Sequence, residues 1–290
     1  MNNKFIFVTA YIELNKELTD GYFERFKKLA SLEYDMKVYI DIRCINKIDE
    51  LKEYKNLDIE LIRWDELPIN EIIEDKKLRL PWTDNPSKDT LEYMIVQNSK
   101  IFFLNKTKTE KETLIWIDFG ILKITDDLDH FKKNFDNLKT YDKIVIAGGI
   151  LERKFLDFDH GIYWRFLGGL VICPKHLIFD FYASCMGEIL RYVNSGWMTW
   201  EVNIWSNLEF KKTYLKHYQA DHNKSMFEFI NIVDNCPNCN SENVRYMFDE
   251  KQTRKNKYDY DVVVACYACN RCGFKIDKIK EMKQNVKFNI

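Results

Sequence analysis

The sequence is poor in proline and glycine, with five and ten among 290 residues, and it carries no internal repeat and no low-complexity linker. Those absences argue against a solenoid, a fibrous chain or a string of loosely tethered modules. No apolar run is long enough to span a bilayer. The N-terminal run, Phe5 to Ala10, also lacks the small-residue cleavage pattern of a leader, and it reads as a first strand. A charge excess is missing too: 44 Lys and Arg stand against 45 Asp and Glu, a net charge of −1. No global field therefore favours nucleic acid or a membrane surface. What is present is core material, 46% hydrophobic and 15% aromatic residues, enough for one large domain and a small appendage. The eight cysteines are uneven: Cys44, Cys173 and Cys185 are scattered, and five fall between Cys236 and Cys272. Such clustering points to metal binding in a reducing compartment, so a cytoplasmic protein is expected.

The pattern centres on Thr113 to Lys123, TLIWIDFGILK. Leu114 to Ile117 is a short run of β-branched and aromatic residues, hence a buried strand, and it ends on Asp118. In an open α/β sheet the ligand crevice lies at that end of a strand. Gly120 then allows a sharp turn and a close approach. Around this strand the periodicity alternates. Strands are expected at Lys4–Ala10, Lys37–Arg43, Ile59–Trp64, Lys143–Ala147 and Tyr214–Tyr218, with helices between them, including Ile45–Tyr54 and a long one from Pro174 to Asn194. Asp20 is placed to cap the first helix. A further helix is expected through Trp197 to Trp205. The order is that of an α/β fold with a mostly parallel sheet flanked by helices.

Four polar features interrupt these core-like stretches: Asp118, the Gly168-Gly169 pair, Glu201 among tryptophans, and Asp221-His222-Asn223. The glycine pair suggests strands meeting at a bend or a close backbone approach. Glu201 is either at a helix rim or held in a pocket, where it would suit proton transfer. Asp221 and His222 could offer one oxygen and one nitrogen to a divalent ion, or could simply form a turn.

The motifs FVTAY (Phe7 to Tyr11), LIWIDFGI (Leu114 to Ile121), FLGGL (Phe166 to Leu170), TWEVNIW (Thr199 to Trp205) and YQADHNKSM (Tyr218 to Met226) together resemble the HtrL/YibB type of glycosyltransferase, also called WlaTC/HtrL-like. The resemblance covers residues 3–232 in order. It implies a GT-A-like fold, a nucleotide-sugar donor, and transfer of a glycosyl group to a hydroxyl of a glycan, protein or lipid-linked acceptor. It also implies a divalent ion, Mn²⁺ or Mg²⁺, on the donor diphosphate. Asp118 matches the first Asp of the usual Asp-x-Asp, and Gly120 stands where the second would be. On this basis Asp118, with Asp221 or His222, would hold the ion. Thr9, Ala10, Asp118, Gly120, Gly168 and Gly169 would line the donor, with Lys100 and Arg165 as phosphate contacts. Glu201 would activate the acceptor hydroxyl, making the enzyme inverting.

From Asp234 the character changes. Cys236-Pro237-Asn238-Cys239 and Cys269-Asn270-Arg271-Cys272-Gly273 form two C-x2-C pairs, the spacing of a tetrahedral zinc site. Residues 234–290 are therefore expected to form a zinc ribbon held by a structural Zn²⁺ on Cys236, Cys239, Cys269 and Cys272, with strands at Val244–Phe248 and Tyr260–Ala265. Cys266 offers an alternative ligand through Cys266-x2-Cys269. The transferase domain would then be residues 1–233. A second reading makes the ribbon the working part, as a non-catalytic nucleic-acid- or protein-binding factor.

Overall fold

The computed structural model describes residues 4–81, 85–148, 162, 164–209, 211–231, 244–247, 266–269 and 275–277. The chain divides into two compact units, Met1–Ile230 and Asn231–Ile290.

The first unit opens with β1 (Phe5–Tyr11), α1 (Thr19–Ala30), β2 (Met36–Asp41) and β3 (Leu57–Ile62). Next come α2 (Ile69–Ile73), α3 (Leu91–Asn98), α4 (Lys100–Lys106) and β4 (Thr113–Ile117). It closes with α5 (Leu128–Asp136), β5 (Ile144–Gly148), β6 (Leu170–Pro174), α6 (Ile178–Asn194), α7 (Glu201–Glu209) and β7 (Leu215–Gln219). The seven strands form one sheet in the order β3-β2-β1-β4-β6-β5-β7. Neighbours are parallel except at β6, which runs antiparallel to both β4 and β5. This is the α/β, mostly parallel sheet that the sequence pattern implies.

Strand alternation sends side chains to two apolar layers. On one face Phe5 and Phe7 pack with Tyr34, Phe131 and Phe135, Phe7 and Phe135 meeting edge to face at 4.8 Å. On the other, Val8, Leu114, Trp116, Val171 and Cys173 meet Phe103, Phe181 and Trp205 from α4, α6 and α7. Every residue of β4 is buried, which explains its uninterrupted apolar run.

Several local expectations are corrected. Residues 45–54 form no α-helix. After β2 the chain takes two short 3-10 turns, Ile42–Lys47 and Asp49–Leu51, because Asp41 accepts from the Arg43 amide and ends the strand in a tight turn. Asp20 lies inside the first turn of α1 and does not cap it. The helical stretch before β4 is two helices, α3 and α4, broken at Ser99, whose hydroxyl donates back to the Ile95 carbonyl at 2.8 Å. Residues 164–167 before the glycine pair form no strand. Trp197 to Trp200 are not helical: Trp197 bridges to Arg79, and α7 begins only at Glu201.

The order places the site. From β1 the chain steps outward through β2 and β3, then returns to lay β4 on the other side of β1. The β1/β4 seam is thus the topological switch point, where an open α/β sheet leaves a crevice beyond its carboxyl ends. Tyr11 and Asp118 lie at that end, and the antiparallel β6 brings the residues before Leu170 to the same edge.

In the second unit, β8 (Val244–Met247), β9 (Cys266–Cys269) and β10 (Lys275–Asp277) form a three-stranded antiparallel sheet in the order β10-β9-β8, with Val244 opposite Cys269. The expected strand at Tyr260–Ala265 and the expected ligands Cys236, Cys239 and Cys272 lie outside the described residues. Of Cys269 only the backbone, at the end of β9, is described.

Candidate functional site at the switch point

Asp118 leaves the end of β4, and its amide donates to the Gly169 carbonyl at 3.0 Å. Trp116, two residues earlier and so on the same side of the extended chain, donates its indole N–H to Asp118 Oδ1 at 2.9 Å. The Lys100 ammonium approaches the same oxygen at 3.0 Å. Lys100 opens α4, and its Nζ also donates to Glu201 Oε1 at 2.8 Å and to the Gly168 carbonyl at 2.9 Å. Its three N–H groups are thereby matched to three acceptors. Burial pulls the Lys100 pKa down, but the Asp118 and Glu201 carboxylates outweigh it and hold it above the ordinary lysine value.

Glu201, the first residue of α7, is 2% exposed, and its Oε2 is buried with no hydrogen-bond partner among the described residues. Unmatched buried carboxylate oxygens are costly, so this one is poised for a partner that arrives from outside the chain. The run before it is fixed by polar contacts: Asn98 donates to the Thr199 carbonyl at 2.7 Å, and Asn203 to the Thr199 hydroxyl at 3.0 Å.

Space explains the glycines. A Cβ on Gly168 would lie 2.0 Å from Glu201 Oε1, and one on Gly169 would lie 2.9 Å from Ile121. Gly120 has an ordinary backbone conformation, with φ −100°, so its turn does not need glycine's freedom. A side chain there would instead collide with the Tyr22 ring at 2.5 Å.

The remaining expected residues divide. Thr9 is fully buried, with its hydroxyl unpartnered among the described residues, and Ala10 is half-buried. Arg165 is engaged by Glu209, to which its Nε donates at 2.8 Å, and so does not present a free guanidinium to a phosphate. Lys100 is likewise enclosed. Asp221 closes a local turn, in which Asn223 donates to its carbonyl and Ser225 accepts from its amide. His222 is close enough to Asp118 and three lysines to feel their charges; burial and then Lys123 lower its pKa, with Asp118 opposing.

Two groups escaped sequence reasoning. Lys88 lies over the rings of Tyr93 and Trp200, at 5.9 and 6.0 Å, and the exposed Trp164 meets Trp200 edge to face at 5.0 Å. Lys123, in the 3-10 turn after Gly120, interacts electrostatically with both Lys88 and His222. Neither lysine carried a sequence signal: Lys88 belongs to an ordinary polar stretch, and Lys123 is a single charge at the end of the Thr113–Lys123 run, between Leu122 and Ile124.

The described side chains do not by themselves complete a divalent-ion site. Among the described residues no group of three or more His, Cys, Asp or Glu side chains could hold a metal ion. Asp118 Oδ1 is taken up by Trp116 and Lys100, and the surrounding charges are mainly ammonium groups.

The sequence matches no protein-family model and no curated protein. Among solved structures, apo mouse xyloside xylosyltransferase 1 is similar at 12% identity and a TM-score of 0.42, over 75% of this chain and 84% of that one. The 4-diphosphocytidyl-2C-methyl-D-erythritol synthase of Anaerococcus prevotii is similar at 15% identity and a TM-score of 0.36, over 76% of this chain and 88% of that one.

Proposed function

We propose that the first unit is a glycosyltransferase of GT-A-like fold, of the HtrL/YibB type, acting on a nucleotide-sugar donor and an acceptor hydroxyl. The observation that carries this reading is the unmatched, buried Oε2 of Glu201, held beside Asp118 by their shared lysine at the switch-point crevice. One oxygen of the carboxylate is fixed by Lys100; the other accepts the proton of the incoming hydroxyl. The acceptor oxygen then bonds to the anomeric carbon as the bond from that carbon to the diphosphate oxygen breaks. The electron pair of the broken bond leaves with the nucleoside diphosphate. Attack from the face opposite the leaving group inverts the anomeric centre. The exposed Trp164, held edge to face against Trp200, supplies aromatic surface for the apolar face of a sugar ring. Asp118, bounded by Gly169 and Trp116, lies on the donor side.

The test is release of nucleoside diphosphate from a panel of nucleotide sugars, with donor binding measured separately. Glu201→Gln should bind the donor within about threefold of wild type and lose about 10²- to 10⁴-fold in turnover. Unchanged turnover in that variant would remove Glu201 from the reaction. The reading in which the second unit is the working part remains a proposal of its own; it requires salt-dependent nucleic-acid binding that is lost on chelation of zinc.

A further inference from the structure

Two lysines at the crevice have no ion-pair partner among the described residues. Neither Lys88 nor Lys123 forms an ion pair with any described carboxylate, although the chain places them close enough to feel each other and the Lys100 ammonium. Lys88 is half-buried, with its ammonium over the faces of Tyr93 and Trp200 at 5.9 and 6.0 Å, in surroundings of reduced polarity. Lys123 extends from the turn that follows Asp118 and Gly120. Burial and then the charge of Lys123 lower the pKa of Lys88, with Asp118 and Glu201 opposing. Lys100 cannot serve, since its three donors are already matched. Among the described residues, three ammonium groups, Lys88, Lys100 and Lys123, gather around the carboxylates of Asp118 and Glu201 near the strand ends.

We propose that Lys88 and Lys123 bind the diphosphate of the donor directly and stabilise it as it leaves, in place of a divalent cation. This rests on the transferase reading and assigns its charge-stabilising groups. A developing negative charge needs preorganised positive charge at the site, and fixed ammonium groups supply it as a metal ion would. A dication would have to enter among these lysines, against their repulsion. The two lysines stand on separate segments, one before α3 and one after β4, so an anion held between them also ties those segments together across the crevice.

Inorganic pyrophosphate isolates this claim from the sugar chemistry. Its binding is followed calorimetrically in EDTA and again with Mn²⁺, on wild type, Lys88→Gln, Lys123→Gln and Lys123→Arg. Both Gln substitutions are at incompletely buried positions, and thermal melts verify that the variants are folded. The expected result is binding in EDTA, weakened at least tenfold by each Gln variant, retained by Lys123→Arg, and falling with added salt. Binding that needs Mn²⁺ and is unchanged in the Gln variants would overturn the lysine assignment. So would a wild-type protein that binds no pyrophosphate under either condition. Neither outcome touches the transferase reading, which stands or falls on donor turnover and Glu201→Gln.

Discussion

Lys100 neutralises two carboxylates at once, and the consequence can be stated with its sign. Removing one member of a buried ion pair leaves the other uncompensated, at a cost of about 3–5 kcal/mol. Lys100→Met should therefore lower stability to urea by about that amount, and adding Glu201→Gln should recover part of the loss. The folded-state pKa of Lys100 is raised, so its stabilisation is present below the ordinary lysine pKa and is lost as pH climbs through the folded value. Wild type and Lys100→Met should therefore converge in stability only in strongly alkaline solution. Gly168→Ala is a second test at this scale. Its methyl would occupy the position of Glu201 Oε1, so turnover should fall at least tenfold, with a lower melting temperature. In the sequence Lys100 is one of 44 basic residues, and nothing local marks it. Its role arises where residues 101 positions apart converge, so only the tertiary fold reveals it. Asp118 and Glu201 were legible because each interrupts an apolar run.

At the scale of elements, buried strands were the readable part. β1, β2, β4 and β5 lie within one or two residues of their expected bounds, because β-branched and aromatic runs have few other ways to be satisfied. Helix ends were less readable. The turns after β2 depend on Asp41, whose carboxylate accepts from the Arg43 and Glu13 amides, a contact spanning 28 residues in the second case. The start of α7 depends on Trp197 pairing with Arg79, which no helical periodicity could foretell. Two outcomes belong here. Phe135→Ala, in the aromatic layer far from Glu201 in composition and contacts, should cost about 3–5 kcal/mol and leave donor affinity unchanged. His217, on β7, has its pKa driven well below the ordinary value by burial and then by the charge of Arg165, with a backbone hydrogen bond to Gly148 opposing. The unfolded chain takes up that proton first, so stability should drop as pH falls below about 6.5, and His217→Gln should flatten the drop.

For the whole molecule, the switch-point position of Asp118 follows from strand order, and the strand order from a chain that winds outward from β1 and returns to its other side. The described strands of the second unit form a small antiparallel sheet, and a unit of that size ordinarily needs a metal or cross-links to hold together. We propose that the two C-x2-C pairs in its sequence supply the thiolates for one zinc ion per chain. Elemental analysis of the purified protein should find it, and Cys236→Ser should abolish it. Among the described residues no helix is long and apolar enough to cross a membrane.

The central claim, a donor site at the end of β4, is tested most directly by calorimetric titration of UDP-, GDP- and dTDP-sugars into wild type and Asp118→Asn, with and without Mn²⁺. The account requires one nucleotide class to bind wild type, at least tenfold weaker binding to the variant, and no dependence on Mn²⁺. No binding by any nucleotide sugar, together with salt-sensitive binding of RNA or DNA, would contradict it and move the function to the second unit.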